Sequence, residues 1–241
     1  MKDLKSLLIL HRILEDKPVV LAELLRDWGS ASNVFGAVSA ADPRLLNPKV
    51  LEKIQSASFN ILQKQVESDL RWLDDPNHHL IVLGEPSYPE LLAEIPDPPV
   101  LLFCHGKLEA FQVFRVAMVG SRNPTRMGIK HAEGFAAQLA AMGIAVTSGL
   151  ALGIDAASHR GALSVDGLTI AVLGCGCDRI YPRRHAGLKD EIVERGLVVS
   201  EFPLGTQAFP ANFPRRNRVV TGMSLGTLVV EAQQRSGSLI S

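Results

Sequence analysis

The chain has 241 residues, 25 lysines and arginines against 25 aspartates and glutamates, and a hydrophobic content of 46%. That content supports a real core and excludes disorder, and a net charge of zero leaves room only for a local basic patch, not for global attraction to a polyanion. No run approaches the roughly 20 apolar residues of a membrane span, and the N-terminus shows no secretory signal, so the expected location is cytoplasmic, without membrane.

Three cysteines, Cys104, Cys175 and Cys177, are too few for a disulfide framework. Cys175-Gly-Cys177 has no second ligand pair, so these read as small buried thiols, with no metal and no cofactor expected. Residues 1–75 read as helical. Leu7, Leu8, Leu10, Ile13 and Leu14 recur at helical spacing. Residues 19–28 form a second helix ended by Gly29-Ser30, and 31–40, 48–57 and 59–73 complete the set. Short helices with glycine-containing connections resemble a small SAM or helix-hairpin-helix bundle, a module that touches DNA backbones or docks proteins. Asp74-Asp75-Pro76-Asn77 is the expected boundary, and residues 76–241 form the second domain.

Beyond it the texture changes. Residues 79–83 and 99–104 read as strands around a short helix at 89–95, with Pro96, Pro98 and Pro99 marking a rigid turn. Apolar β-rich runs follow at 116–119, 144–148, 168–173, 197–200 and 225–230, and helix potential is clearest at 127–142 and 154–163. This alternation predicts an α/β domain with a parallel sheet and helices on both faces. Ser236 to Ser241 follow the last strand and should open another helix. The pattern therefore reads as truncated at its C-terminus.

In open α/β sheets ligands bind beyond the carboxyl ends of the strands. After the first regular strand, Gly120-Ser121-Arg122 offers a tight turn and a fixed charge for phosphate. It is not GxGxxG, so it gives little support to dinucleotide binding. After the second, Ser148-Gly149 leads to Asp155 and His159, four residues apart on one helix face, read as a structural pair. After the third, Gly174-Cys175-Gly176 leads to Arg179, Arg183, Arg184 and His185, a second basic cluster. After the fifth come Glu231, expected to orient arginine or backbone groups, and the small-residue turn Gly237-Ser238. Between the fourth and fifth strands lies Asn212-Phe213-Pro214-Arg215-Arg216-Asn217-Arg218, a concentration of phosphate-binding forks beside an aromatic. Residues 178–218 carry eight lysines and arginines against five acidic residues. Several such turns at one sheet edge suit a polyphosphate or a single-stranded nucleic acid, with Phe213, Phe202 and Tyr181 as candidate stacking rings. For Phe202 core packing is the better reading.

These motifs stand in a recognisable order. Gly120-Ser-Arg-Asn-Pro-Thr, Ser148-Gly-Leu-Ala-Leu-Gly-Ile-Asp-Ala-Ala-Ser-His159, Leu173-Gly-Cys-Gly-Cys-Asp-Arg-Ile-Tyr-Pro182, Ser200-Glu-Phe-Pro-Leu-Gly205, Asn212 to Arg218 and Val229-Val-Glu-Ala-Gln-Gln-Arg-Ser-Gly-Ser238 together resemble the bacterial DNA-processing (DprA, or Smf) family. The resemblance covers about residues 80–241. It implies an extended Rossmann-like domain that binds single-stranded DNA, protects DNA taken up in natural transformation and helps load RecA. It also implies a homodimer that is no enzyme and needs no cofactor. Carried over, Gly120, Ser121, Arg122, Ser148, Gly149, Arg179, Phe213, Arg215, Arg216, Asn217, Arg218, Gly237 and Ser238 would form the DNA site, supported by Asp155, His159 and Glu231. Arg122, Arg215, Arg216 and Arg218 would meet phosphates, some of them pairing instead with Asp155 or Glu231. Family members continue past Ser241, and their dimer and RecA surfaces lie largely in that later part.

Two other functions compete. One is an enzyme acting on a nucleotide phosphate, for which Gly226-Thr227 and Glu231 are a faint echo of a glycine-rich phosphate turn with a downstream glutamate. The other is a non-functional truncated fragment.

Overall fold

The computed structural model describes residues 2–40, 42 and 47–232. The chain divides into two compact units, Met1–Asp75 and Pro76–Ser241, so the division falls inside the Asp74-Asp75-Pro76-Asn77 segment.

The first unit holds helices α1 (Lys2–Ile13), α2 (Pro18–Trp28), α3 (Ala31–Ser39), α4 (Pro48–Gln55) and α5 (Phe59–Trp72). Their ends follow from local chemistry. Pro18 and Pro48 occupy first turns, where a missing N–H costs nothing. Gly29, at φ 73°, closes α2, and its N–H donates to Leu25 O. Ser30 and Asn47 cap α3 and α4 by accepting from main-chain N–H groups. Leu8, Leu10 and Leu14 are fully buried. A two-pronged Arg12–Asp69 pair, at 2.9 and 2.5 Å, ties the turn of α1 to α5.

The second unit runs β1 (His78–Val82), α6 (Glu90–Ala93), β2 (Leu101–Gly106), β3 (Arg115–Gly120), α7 (Arg126–Ala141), β4 (Ala145–Ser148), α8 (Ile154–Leu163), β5 (Thr169–Val172), α9 (Ala186–Arg195), β6 (Leu197–Ser200), α10 (Asn212–Gly222) and β7 (Thr227–Glu231). Among the described residues the strands form one sheet in the order β1-β2-β6-β5-β4-β3-β7. From β6 to β7 the neighbours are parallel. β2 joins β6, and β1 joins β2, antiparallel. The five regular strands are thus parallel, as their pattern predicts, and β1 and β2 extend them into a mixed sheet. A parallel neighbour needs a crossover of a dozen or more residues, usually a helix across the sheet face. The four-residue α6 is too short to serve as one.

The parallel strands β3 to β6 are buried on both faces, while β7 at the sheet edge is only partly covered. Met118 and Val146 face a layer of Ala132, Ala136, Ala140 and Ala157, whose small side chains let α7 and α8 lie close to each other and to the sheet. Ala117, Val119, Ile170 and Val172 face Leu92 of α6, Val219 and Val220 of α10 and Met223 just past its end. From β3 to β6 the chain steps across the sheet in one direction. α10 then carries it back to β7, on the other side of β3. The strand order reverses there, so the carboxyl ends of β3 and β7 flank the switch point at which such sheets bind ligands.

Candidate functional site

An aromatic and cationic platform stands at the carboxyl edge of the sheet. Phe213, in the first turn of α10, is half-buried, and its ring centroid lies 5.4 Å from that of Tyr181. The Arg122 guanidinium carbon lies 5.3 Å from the Phe213 centroid. Arg122 is exposed, and Tyr181 is 51% exposed, high for a phenol ring. Gly174, just past β5, makes room for the platform: a Cβ there would meet Phe213 Cδ1 at 3.0 Å. Asn212 anchors the same helical turn by donating to Gly174 O at 3.0 Å. Arg183 and Arg184, on the short 3-10 turn that follows Tyr181, are exposed. They extend the basic surface beside the ring and were not among the residues singled out above for the DNA site.

The phosphate cradle expected at Ser148-Gly149 is filled from within. The Gly149 and Ala151 N–H groups both donate to Asp155 Oδ2, at 3.1 and 3.3 Å. Ser148 Oγ donates to Met118 O at 2.6 Å. Leu150, between the two amides, is held at φ 56° with no exposure. Gly149 is required here because the Arg216 guanidinium occupies the space of a side chain: a Cβ would lie 1.6 Å from Nη1. Arg216 is 2% exposed and donates to Val172 O at 2.7 Å. Burial pushes the Asp155 carboxyl up, while Arg216 and the two turn amides pull it back. Burial pushes the Arg216 guanidinium down, against the attraction of Asp155. Arg216 is therefore the buried countercharge of the turn, and it does not reach the surface where a phosphate would lie.

Asp155 and His159 share a helix face but serve different partners. His159 Nδ1 meets Thr169 Oγ1 at 2.7 Å, and Thr169 Oγ1 donates its own proton to Val146 O. The hydroxyl proton being spent, Nδ1 must carry the imidazole proton. His159 ties α8 to β5 rather than forming a dyad with Asp155.

Arg215 and Arg218 are also engaged, with a residue that sequence reasoning passed over. Glu201, directly after β6 and 3% exposed, accepts from Arg215 Nη2 at 3.1 Å and from Arg218 Nη2 at 2.5 Å. Arg218 further lies 3.0 Å from Asp97 Oδ2 and donates to Asp97 O. The Arg215 guanidinium sits 4.9 Å over the ring of Phe202, which is buried in the core. The pairings expected with Asp155 or Glu231 thus go, for these two arginines, to Glu201 and Asp97. An acidic residue directly after an apolar strand, with arginines three apart downstream, was the available signal.

Glu231 orients backbone. Its carboxylate accepts from Thr125 N and from Thr125 Oγ1, the latter at 2.7 Å, and Thr125 in turn caps α7 by accepting from Gly128 N. The Glu231 carbonyl accepts from Ser121 N at 2.6 Å, and Gly120 is packed between Ile154 and that carbonyl. The Gly120-Ser121-Arg122 turn is thereby fixed to the end of β7 with only the Arg122 side chain projecting. Arg179 is exposed and lies 3.4 Å from Asp178. Asn217 is half-buried on α10. Gly237 and Ser238 lie outside the described residues. Cys104, Cys175 and Cys177 are free and buried, with burial pushing Cys175 up to about 11 and Cys177 to about 12.

Comparison with known proteins bears on this edge. Residues 79–241 match the family described as DNA recombination-mediator protein A. Protein Smf of Escherichia coli is 48% identical over 180 residues, 74% of this chain and 48% of its own length. The crystal structure of DNA processing protein A (DprA) from Streptococcus pneumoniae superposes with a TM-score of 0.72 at 35% identity, covering 99% of this chain and 79% of that one. A DNA processing protein A structure from Helicobacter pylori, described for its unique single-stranded DNA binding mode, gives a TM-score of 0.62 at 31% identity over 67% of this chain and 74% of its own. The chain spans about half the length of the curated relatives it matches. Through residues 79–241, on this Rossmann-like mixed sheet, the chain belongs to the DNA recombination-mediator protein A family.

Proposed function

We propose that the sheet unit binds single-stranded DNA at the carboxyl edge of its parallel strands, without reading sequence. The observation that carries this is Phe213, held between the exposed Arg122 and Tyr181 at the carboxyl edge. Every base has a π-face, so an aromatic platform ringed by guanidinium groups favours strands whose bases are free to stack. Arg122, Arg183 and Arg184 are the exposed cations suited to the adjoining phosphates. The single-stranded DNA binding of the Helicobacter relative supports the same reading. The wider role that goes with it is that of a cytoplasmic recombination mediator: a homodimer that protects DNA taken up in transformation and hands it to RecA. We propose a binder rather than an enzyme, a reading supported by the engagement of Glu231 with Thr125.

The test is fluorescence anisotropy of labelled oligo-dT and a matched duplex across a salt series. The intact chain is expected to prefer the single strand. Phe213→Ala should weaken binding about 5- to 150-fold, the worth of one base–aromatic stack. Arg122→Ala should reduce the slope of log affinity against log salt by about 0.7, one phosphate on a single strand. Equal affinity for duplex, or indifference to both substitutions, would sink the proposal.

A further inference from the structure

We propose that Glu201 is a positioning residue for the stacking platform: by holding Arg215 and Arg218 it fixes the roll of α10 and so the place of Phe213. The inference rests on the reading of the carboxyl edge as a single-strand site. Arg215 and Arg218, three apart, share one face of α10, and Phe213 projects from roughly the opposite face. Glu201 reaches the arginine face from the end of β6, with one oxygen accepting from both guanidinium groups. Asp97 holds the far side of Arg218. Rotation of α10 about its axis would break these contacts and slide Phe213 past Tyr181 and Arg122.

Two features set this cluster apart from a device for stability alone. Glu201 Oε1 is buried without a hydrogen bond, a cost that a cluster serving only stability would be expected to remove. Buried ion pairs are also weak stabilisers against apolar replacements, and their best-attested use is to fix register. The cluster also takes Arg215 and Arg218 out of the phosphate-binding set, because their charges are spent on Glu201 and Asp97.

The experiment uses the full chain with oligo-dT carrying 2-aminopurine at successive positions, whose emission reports stacking, beside anisotropy over a salt series. Glu201→Gln keeps the shape and removes the charge. Arg215→Gln leaves Glu201 paired with Arg218 and serves if Glu201→Gln fails to fold. Both variants are expected to diminish the stacking signal and weaken binding several-fold, with the salt slope unchanged in Arg215→Gln. A wild-type stacking signal in either folded variant would overturn the proposal. So would a drop in slope of about 0.7 in Arg215→Gln, which would make Arg215 a phosphate contact. Failure of the unmodified chain to bind oligo-dT would instead remove the site reading itself.

Discussion

His159 and Arg216 are buried groups whose ionisation is set by what surrounds them. His159 has no exposure, and its Nε2 is buried without a hydrogen bond. Burial, with Arg216, His185 and Arg160 adding repulsion, pushes the imidazole down to about 3 from its ordinary 6.5. Between those values the unfolded chain takes up a proton and the folded chain does not. The stabilisation is therefore complete above pH 6.5 and is lost as pH falls toward 3. Urea unfolding at pH 7.5 and 5.5 should show a loss of about 1.4 kcal/mol from this residue alone. The same comparison in His159→Gln should lack that increment; an identical pH difference in both proteins would show that the ring titrates normally. For Arg216 the outcome depends on Asp155. Arg216→Met removes the cation facing a buried carboxylate, and breaking one side of a buried pair costs about 3–5 kcal/mol. The substitution should lower the unfolding midpoint sharply. An Arg216→Met chain of wild-type stability with weakened DNA binding would mean that the side chain reaches out to phosphate after all.

At the scale of elements, the end of β7 and the start of α7 form one unit through Glu231 and Thr125. Thr125→Val should cost about 1 kcal/mol as a lost cap. In a double-mutant cycle by urea unfolding, Thr125→Val and Glu231→Gln should be coupled by about 0.5–3 kcal/mol; additive effects would contradict the shared contact. Beyond residue 115, the elements that sequence reasoning found are those with apolar period: the strands β3 to β7, and α7 and α8. α10 was read as a motif and not as a helix, because its inward positions include Arg216 and its first turn carries a proline. Proline is tolerated there, and an arginine that buries against Asp155 leaves no hydrophobic stripe to count. The antiparallel β1 and β2 read correctly as strands, but pairing direction is a property of connections and not of strand composition. In the site, residue types were legible and destinations were not. An arginine bound for Glu201 and one bound for solvent look alike in a chain, since what separates them is the counter-ion brought close by the fold. Arg122 stood out by its place in a glycine turn and Phe213 as the aromatic among the arginines; the room that Gly174 leaves for Phe213 is visible only in the fold.

The charge of the whole molecule decides how much of its DNA affinity is electrostatic. With a net charge of zero, attraction must come from the arginines left exposed at the carboxyl edge. Those beside the aromatic platform are Arg122, Arg179, Arg183 and Arg184, with Arg179 partly spent on Asp178. Three to four phosphates neutralised by these residues give a salt slope of about −2 to −3 on single strands. Between 50 and 200 mM salt that is a loss of roughly 20- to 50-fold in affinity. Adding Arg215, Arg216 and Arg218 would bring the slope to about −5 and the loss to about 1000-fold. An anisotropy titration over that range therefore distinguishes an edge that holds DNA by stacking with modest charge from one that holds it by an arginine helix. A slope near −5 that falls in Arg215→Gln and Arg218→Gln would show the α10 pairs opening onto DNA. One that survives both substitutions would leave the extra cations to Arg216 or to residues outside α10, with the helical unit of residues 1–75 the first region to search.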